Sequence, residues 1–131
     1  MSKVWKRFGL AALALVVLLV TVVALIAVLQ PAPPPIAAKY KLPPGVDAWD
    51  AGRTAYDERD YERAVAYWRQ LDPSHPQYVR SLRYVGWEVY AEKLDEPAKG
   101  LRYVHRSVLT EPLSENTWQD LGRTYASLFG F

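Results

Sequence analysis

The stretch WQDLGRTY at positions 118–125 decides how the rest of the chain is interpreted. It places a Trp, a Leu-Gly pair and a Tyr about one helical turn apart, which is typical of a helix that buries one face. Gly86 precedes Gly122 by 36 residues, and Gly52 precedes Gly86 by 34. The triplet Gly-Arg-Thr that begins at Gly52 recurs at Gly122. A recurrence at this interval predicts a repeated helical unit.

The spacing in 118–125 resembles the first helix of a tetratricopeptide repeat, and Ala64, Trp68 and Pro76 resemble its second helix. The resemblance covers about residues 45–128. It implies a short array of antiparallel helix pairs, about two and a half repeats long. Together with an N-terminal transmembrane helix, which the apolar run at positions 8–29 predicts, this gives an all-α fold. The helices of the array are expected at 48–58, 61–71, 77–93, 97–109 and 115–128.

The second unit fits the repeat less well than the first. Its small residue moves to Gly100 after a two-residue insertion near Asp95, which predicts a longer turn between its helices. A Gly inside a helix costs ~1 kcal/mol relative to Ala. We therefore expect Gly52, Gly86 and Gly122, with Ala64, to lie where two helices approach most closely.

Local signals support helix starts at several points of the array. Asp47, Asp60 and Ser114 are residues that cap helix N-termini, and Pro97 suits a first helical turn. Apolar residues recur three and four positions apart within the expected helices, so each helix has a stripe to bury. Trp68 and Trp118 are assigned to that core.

Residues 1–30 form the first segment and contain a membrane anchor. Positions 8–29 hold 22 consecutive uncharged residues, and a helix of ~1.5 Å per residue matches a hydrocarbon core of ~30 Å. A cleaved signal peptide has a shorter apolar region, so an uncleaved anchor is expected. Lys3, Lys6 and Arg7 precede the apolar run, which favours a cytoplasmic N-terminus in the inner membrane and a periplasmic domain.

Residues 31–44 form a linker with six prolines. Proline fixes φ and removes a donor, so this segment is predicted to be extended polyproline II. It is expected to act as a stiff spacer that holds the helical domain, residues 45–131, clear of the headgroups.

Composition excludes several classes of function. After the apolar run, 13 Lys and Arg face 14 Asp and Glu, so no basic surface for nucleic acid is expected. The chain has no cysteine, and His75 and His105 do not form a metal-binding pattern. No phosphate loop or nucleophile motif is present. No cofactor, small-molecule substrate or catalytic activity is predicted.

Partner binding is the function that the sequence favours. The first helix of each pair in such arrays lines a concave face, and aromatic and Arg residues dominate binding energy at interfaces. The side chains expected on that face are Trp49, Arg53, Tyr56, Arg80, Arg83, Tyr84, Trp87, Tyr90, Gln119 and Arg123. For any single Tyr in this set, a core position is an equal alternative.

The chain end suggests a permanent partner. A third unit would need a second helix, whereas the chain ends with apolar Phe129 and Phe131, which we expect to fold back or to bind another subunit. The leading hypothesis is an accessory subunit of a respiratory or photosynthetic membrane complex. The alternatives are an envelope assembly factor that binds client peptides transiently, and a small hydrolase or sugar-binding domain.

Overall fold

The computed structural model describes residues 3–130, and within that range every regular element is helical, which confirms the predicted all-α class. The elements are α1 (Lys3–Leu29), a 3-10 turn (Ala38–Tyr40), α2 (Ala48–Asp57), α3 (Tyr61–Trp68), α4 (Tyr78–Arg83), a π-helix (Tyr84–Lys93), α5 (Pro97–Thr110) and α6 (Glu115–Phe129). The π-helix follows α4 without a break, so the two form one continuous rod.

The helix starts follow local side-chain chemistry. Asp47 accepts hydrogen bonds from two backbone N–H groups of the first turn of α2, the shorter at 2.7 Å. Asp60 accepts one from α3 at 3.2 Å, and Pro97 opens α5. Ser114 stands at the N-cap of α6, but its side chain forms no capping bond, so that expectation was wrong.

The turn between the two helices of the second unit is short. It consists of residues 94–96, as short as the turn at 58–60 between α2 and α3, so the longer turn predicted there was wrong. The helix before it is a π-helix, in which each N–H bonds to the carbonyl five residues earlier, and Leu94 N donates to Val89 O at 2.9 Å in this way.

The core divides into two clusters. The first is formed by α2, α3, the π-helix and the turn after α3, and its buried members are Ala55, Ala64, Val65, Trp68, Leu71, Val85 and Val89. The second joins α1 to α5 and α6, and its buried members are Val23, Val104, Val108 and Leu121. Helix α1 therefore contributes to the core of the helical domain.

Two of the three in-phase glycines lie at close helix contacts. A Cβ on Gly52 would overlap the indole of Trp68, and a Cβ on Gly86 would lie 2.7 Å from Cγ1 of Val104. A Cβ on Gly100 would overlap the carbonyl oxygen of Gly86, so these two backbones touch. Gly122 is exposed and a Cβ there would meet nothing within 4 Å, so the predicted close contact at this glycine was wrong.

Helix α1 is long and apolar enough to cross a membrane, with a mean hydropathy of 3.3 over its most apolar window. It also packs against α5. Buried Val23 lies on a stripe with half-buried Val16, Val20, Ala27 and Gln30, spaced alternately four and three residues apart. The helix thus has one face that contacts the domain and other faces that remain exposed.

The proline-rich linker lies on the helical domain and does not hold it at a distance. Arg69 donates to the carbonyl of Pro34 at 2.5 Å, and Arg102 donates to the carbonyl of Pro31. Further along, Gln70 donates to the carbonyl of Tyr40 at 2.8 Å. An extended proline segment leaves its carbonyls unpaired, so donor side chains of α3 and α5 bind them. The spacer role expected for residues 31–44 was wrong.

Candidate functional site

Five of the predicted partner-binding residues meet on one face of α2 and of the rod formed by α4 and the π-helix. We call them the aromatic–arginine cluster: Trp49, Arg53, Tyr56, Arg80 and Tyr84. The ring centroid of Tyr84 lies 5.6 Å from that of Trp49 and 5.8 Å from that of Tyr56, in both cases edge to face. All three rings are half-buried, so each has an inner surface in the core and an outer surface toward solvent.

The two arginines of the cluster lie beside the same two rings. The guanidinium carbon of Arg53 is 5.9 Å from the centroid of Trp49 and 5.6 Å from that of Tyr84. The corresponding distances for Arg80 are 5.5 and 5.9 Å. Arg53 also donates to the hydroxyl of Tyr84 at 3.2 Å. These cation–π contacts orient both guanidinium groups while Arg80 remains exposed.

The position of the cluster depends on Gly52. Trp49, Arg53 and Tyr56 are spaced four and three residues apart, which places them on one face of α2. Because Gly52 has no side chain, the indole of Trp68 lies against the α2 backbone, stacks on Trp49 at 5.6 Å and donates to the Trp49 carbonyl at 3.2 Å. Trp68 is only 2% exposed, so it gives the cluster a rigid base.

A charged recess adjoins the cluster where α4 faces α6. Arg83 donates to Asp120 at 2.5 Å, and Asp120 is buried while the Arg83 side chain is 31% exposed. The recess has a volume of about 170 Å³ and is lined by Arg80, Arg83, Tyr84, Glu88 and Asp120. Burial raises the pKa of the Glu88 carboxyl, and the neighbouring Glu92 carboxylate raises it further. Both signs of charge are therefore present in the recess.

Arg123 and Trp87 extend this surface along α6. The guanidinium carbon of Arg123 lies 5.9 Å from the ring of Trp87, and its Nη1 lies 3.8 Å from Asp120. The inner edge of Trp87 packs against the second core cluster. The cluster, Arg83, Trp87 and Arg123 thus form one continuous surface on α2, α4, the π-helix and α6. This surface contains eight of the predicted residues.

The remaining predicted residues lie elsewhere. Tyr90 stacks on Tyr103 at 5.9 Å and faces the linker, because the π-helix rotates residues after Tyr84 away from the phase of an α-helix. Gln119 is exposed and donates to Glu115 at 2.8 Å. Phe129 stacks on Tyr125 at 6.2 Å near the end of α6. Phe131 lies outside the described residues.

Sequence reasoning missed Asp120, Glu88 and a buried polar group around His105. Asp120 stands three residues before Arg123, a pattern typical of an exposed ion pair, and nothing in the sequence indicates Arg83 as its partner. His105 is fully buried between the hydroxyl of Tyr125 at 2.8 Å and the side-chain amide of Gln30 at 3.1 Å. Burial lowers the pKa of His105, which favours the neutral imidazole.

The site contains hydrogen-bond donors, aromatic rings and paired charges. Across residues 3–130, no group of three or more His, Asp and Glu side chains converges on a point that could hold a metal ion. Half-exposed rings and oriented guanidinium groups bind carboxylates and apolar side chains.

Comparisons with known proteins give no relative. No family model, no curated protein and no solved structure matches this chain.

Proposed function

We propose that this chain is a non-catalytic, single-pass membrane protein whose helical domain binds another protein through the aromatic–arginine cluster. In this proposal it is an accessory subunit that braces a larger membrane complex, of respiratory or photosynthetic type. Its partners are other subunits, principally integral membrane proteins.

The observation that carries the proposal is that the guanidinium groups of Arg53 and Arg80 are held in place without a carboxylate partner among the described residues. Both guanidinium groups are oriented by Trp49 and Tyr84, yet neither forms a salt bridge with a described residue. Pre-oriented side chains lose less conformational entropy when a partner binds. Arginine and aromatic residues of this kind are the ones that most often dominate binding energy. A carboxylate-bearing segment of a partner would complete their hydrogen bonds.

The helix order supports a tetratricopeptide-like arrangement. Helix α2 packs on α3, the π-helix packs on α5, and α5 packs on α6. Direct contacts also join the first helices of the units: Arg53 to Tyr84, Arg83 to Asp120, and Arg123 to Trp87. Side-by-side first helices are what a concave recognition face requires. The close approaches at Gly52 and Gly86 support the same arrangement.

The proposed topology follows from the charges around α1. Lys3, Lys6 and Arg7 precede the apolar run, and this asymmetry favours an N-terminus in the cytoplasm. The anchor then lies in the inner membrane and the helical domain lies in the periplasm. The partner would be reached on that side of the membrane.

Site-specific photo-crosslinking tests the proposal. A photoreactive residue at exposed position 80 of the full chain, in its native membrane, should form a crosslink to one protein partner. The same residue at Arg59, an exposed position in the α2–α3 turn, should form none. Equal crosslinking at both positions would contradict the proposal. A ladder of many weak products at position 80 would instead indicate an assembly factor that binds client peptides transiently.

A further inference from the structure

A cavity lies where α1 joins the helical domain. It has a volume of about 520 Å³ and is bounded on one side by Ala27, Gln30 and Pro31, at the end of α1. The opposite wall carries three arginines: Arg69, Arg102 and Arg106. The cavity is separate from the aromatic–arginine cluster, with which it shares no residue.

The three arginines have hydrogen-bonding capacity to spare. Arg69 and Arg102 each donate to a linker carbonyl, and Arg106 is exposed. A guanidinium has five N–H donors, so most of these donors are not used by those bonds. None of the three forms a salt bridge with a described residue. Three cations thus line one cavity without a carboxylate to balance them.

The position of the cavity relative to the membrane follows from the length of α1. A hydrocarbon core of ~30 Å takes ~20 residues of helix, and twenty residues after Arg7 is Ala27. Because Ala27 lines the cavity, the cavity lies at the outer boundary of the hydrocarbon, where phosphates of the lipid headgroups are found. The same walls include apolar side chains, among them Leu71 and Leu82.

We infer that this cavity binds the phosphate headgroup of an anionic phospholipid from the outer leaflet. Arg102 and Arg106 are four residues apart on α5, so their guanidinium groups can bind one phosphate together. Arg69 approaches from the end of α3. The apolar wall contacts the glycerol end of the acyl chains. The inference depends on α1 spanning the membrane and is independent of partner binding at the cluster.

The test uses the full-length protein, delipidated in detergent, titrated with phosphatidylglycerol or phosphatidylcholine and followed by native mass spectrometry. One phosphatidylglycerol should bind in preference to phosphatidylcholine. A cation near a lipid surface contributes about 1 kcal/mol, so R106Q should weaken binding about fivefold and R102Q/R106Q about 25-fold. R106K should keep most of the affinity because it keeps the charge.

A matched control is R59Q, which removes one exposed arginine that does not line the cavity and should leave lipid binding unchanged. Helix content and melting temperature of R106Q should equal those of the wild type, because Arg106 is exposed. Equal binding of the two lipids, or unchanged binding by R102Q/R106Q, would overturn the inference. Binding of inorganic phosphate in place of lipid would overturn it as well, since the ligand would then be free phosphate.

Discussion

Replacing Gly100 with alanine tests the backbone contact between the π-helix and α5. The new Cβ would overlap the carbonyl oxygen of Gly86 and lie 3.0 Å from its carbonyl carbon. Carbon atoms pack at about 3.5–4.0 Å, so the two helices must separate by roughly 1 Å. Overpacking costs about 1–3 kcal/mol, and the upper part of that range, about 2–3 kcal/mol, applies here because the atoms in the way are backbone atoms; the helix propensity of alanine returns about 1 kcal/mol. We expect a net loss of about 1–2 kcal/mol.

The assay is thermal unfolding of the full-length protein in detergent, followed by circular dichroism at the helix band. For a domain of this size the loss corresponds to a melting temperature lower by about 5–15 °C. The matched control is Gly122→Ala, where a Cβ meets nothing within 4 Å. That variant should melt about 3–6 °C higher, since only the gain in helix propensity applies. A G100A protein that melts at or above the wild-type temperature would refute the contact.

Three further predictions concern single side chains. Burial holds the pKa of His105 below its ordinary value of 6.5, so the unfolded chain binds a proton at this residue more readily than the folded chain does. The free energy of unfolding should therefore fall as the pH drops below about 6.5. Thermal melts between about pH 8 and pH 5 should show this fall, and the fall should be smaller in H105N. Asp120→Asn removes the carboxylate that binds Arg83 and should lower stability by about 2 kcal/mol in urea titrations. Asp47→Ala removes the cap of α2 and should cost about 1 kcal/mol in the same titrations, whereas equal stability would show that the cap is dispensable.

Much of the fold could be predicted because its determinants are local. Asp47 and Asp60 cap the helices that they were expected to cap, and the small residue Gly52 lies against Trp68. These features depend on a few neighbouring residues and on the 3.6-residue period. The same locality explains why α2 presented Trp49 and Tyr56 together on one face.

The errors arise where the backbone departs from the α-helical period or where contacts are long-range. The π-helix displaced Tyr90 from the predicted surface, and no residue pattern marks a π-helix in advance. The pairing of Asp120 with Arg83 spans 37 residues and depends on how α6 packs on α4. The linker was expected to be a spacer because its own prolines favour extension, but Arg69 and Arg102 bind it from distant helices.

Helix α1 is joined to the helical domain in this structure by packing and by a hydrogen bond. Val23 belongs to the same buried cluster as Val104 and Val108, and Gln30 bonds to His105. The helical domain is therefore held against the last turns of α1.

The most direct test of the central claim is purification of the tagged full-length protein in gentle detergent, with quantitative mass spectrometry of what elutes. Wild-type protein should retain a fixed set of integral membrane subunits at constant stoichiometry. The variant R53Q/R80Q should remain folded and lose that set, whereas the control R59Q should retain it. A wild-type protein that elutes folded and alone, or subunits that stay bound to R53Q/R80Q as well as to the wild type, would contradict the account.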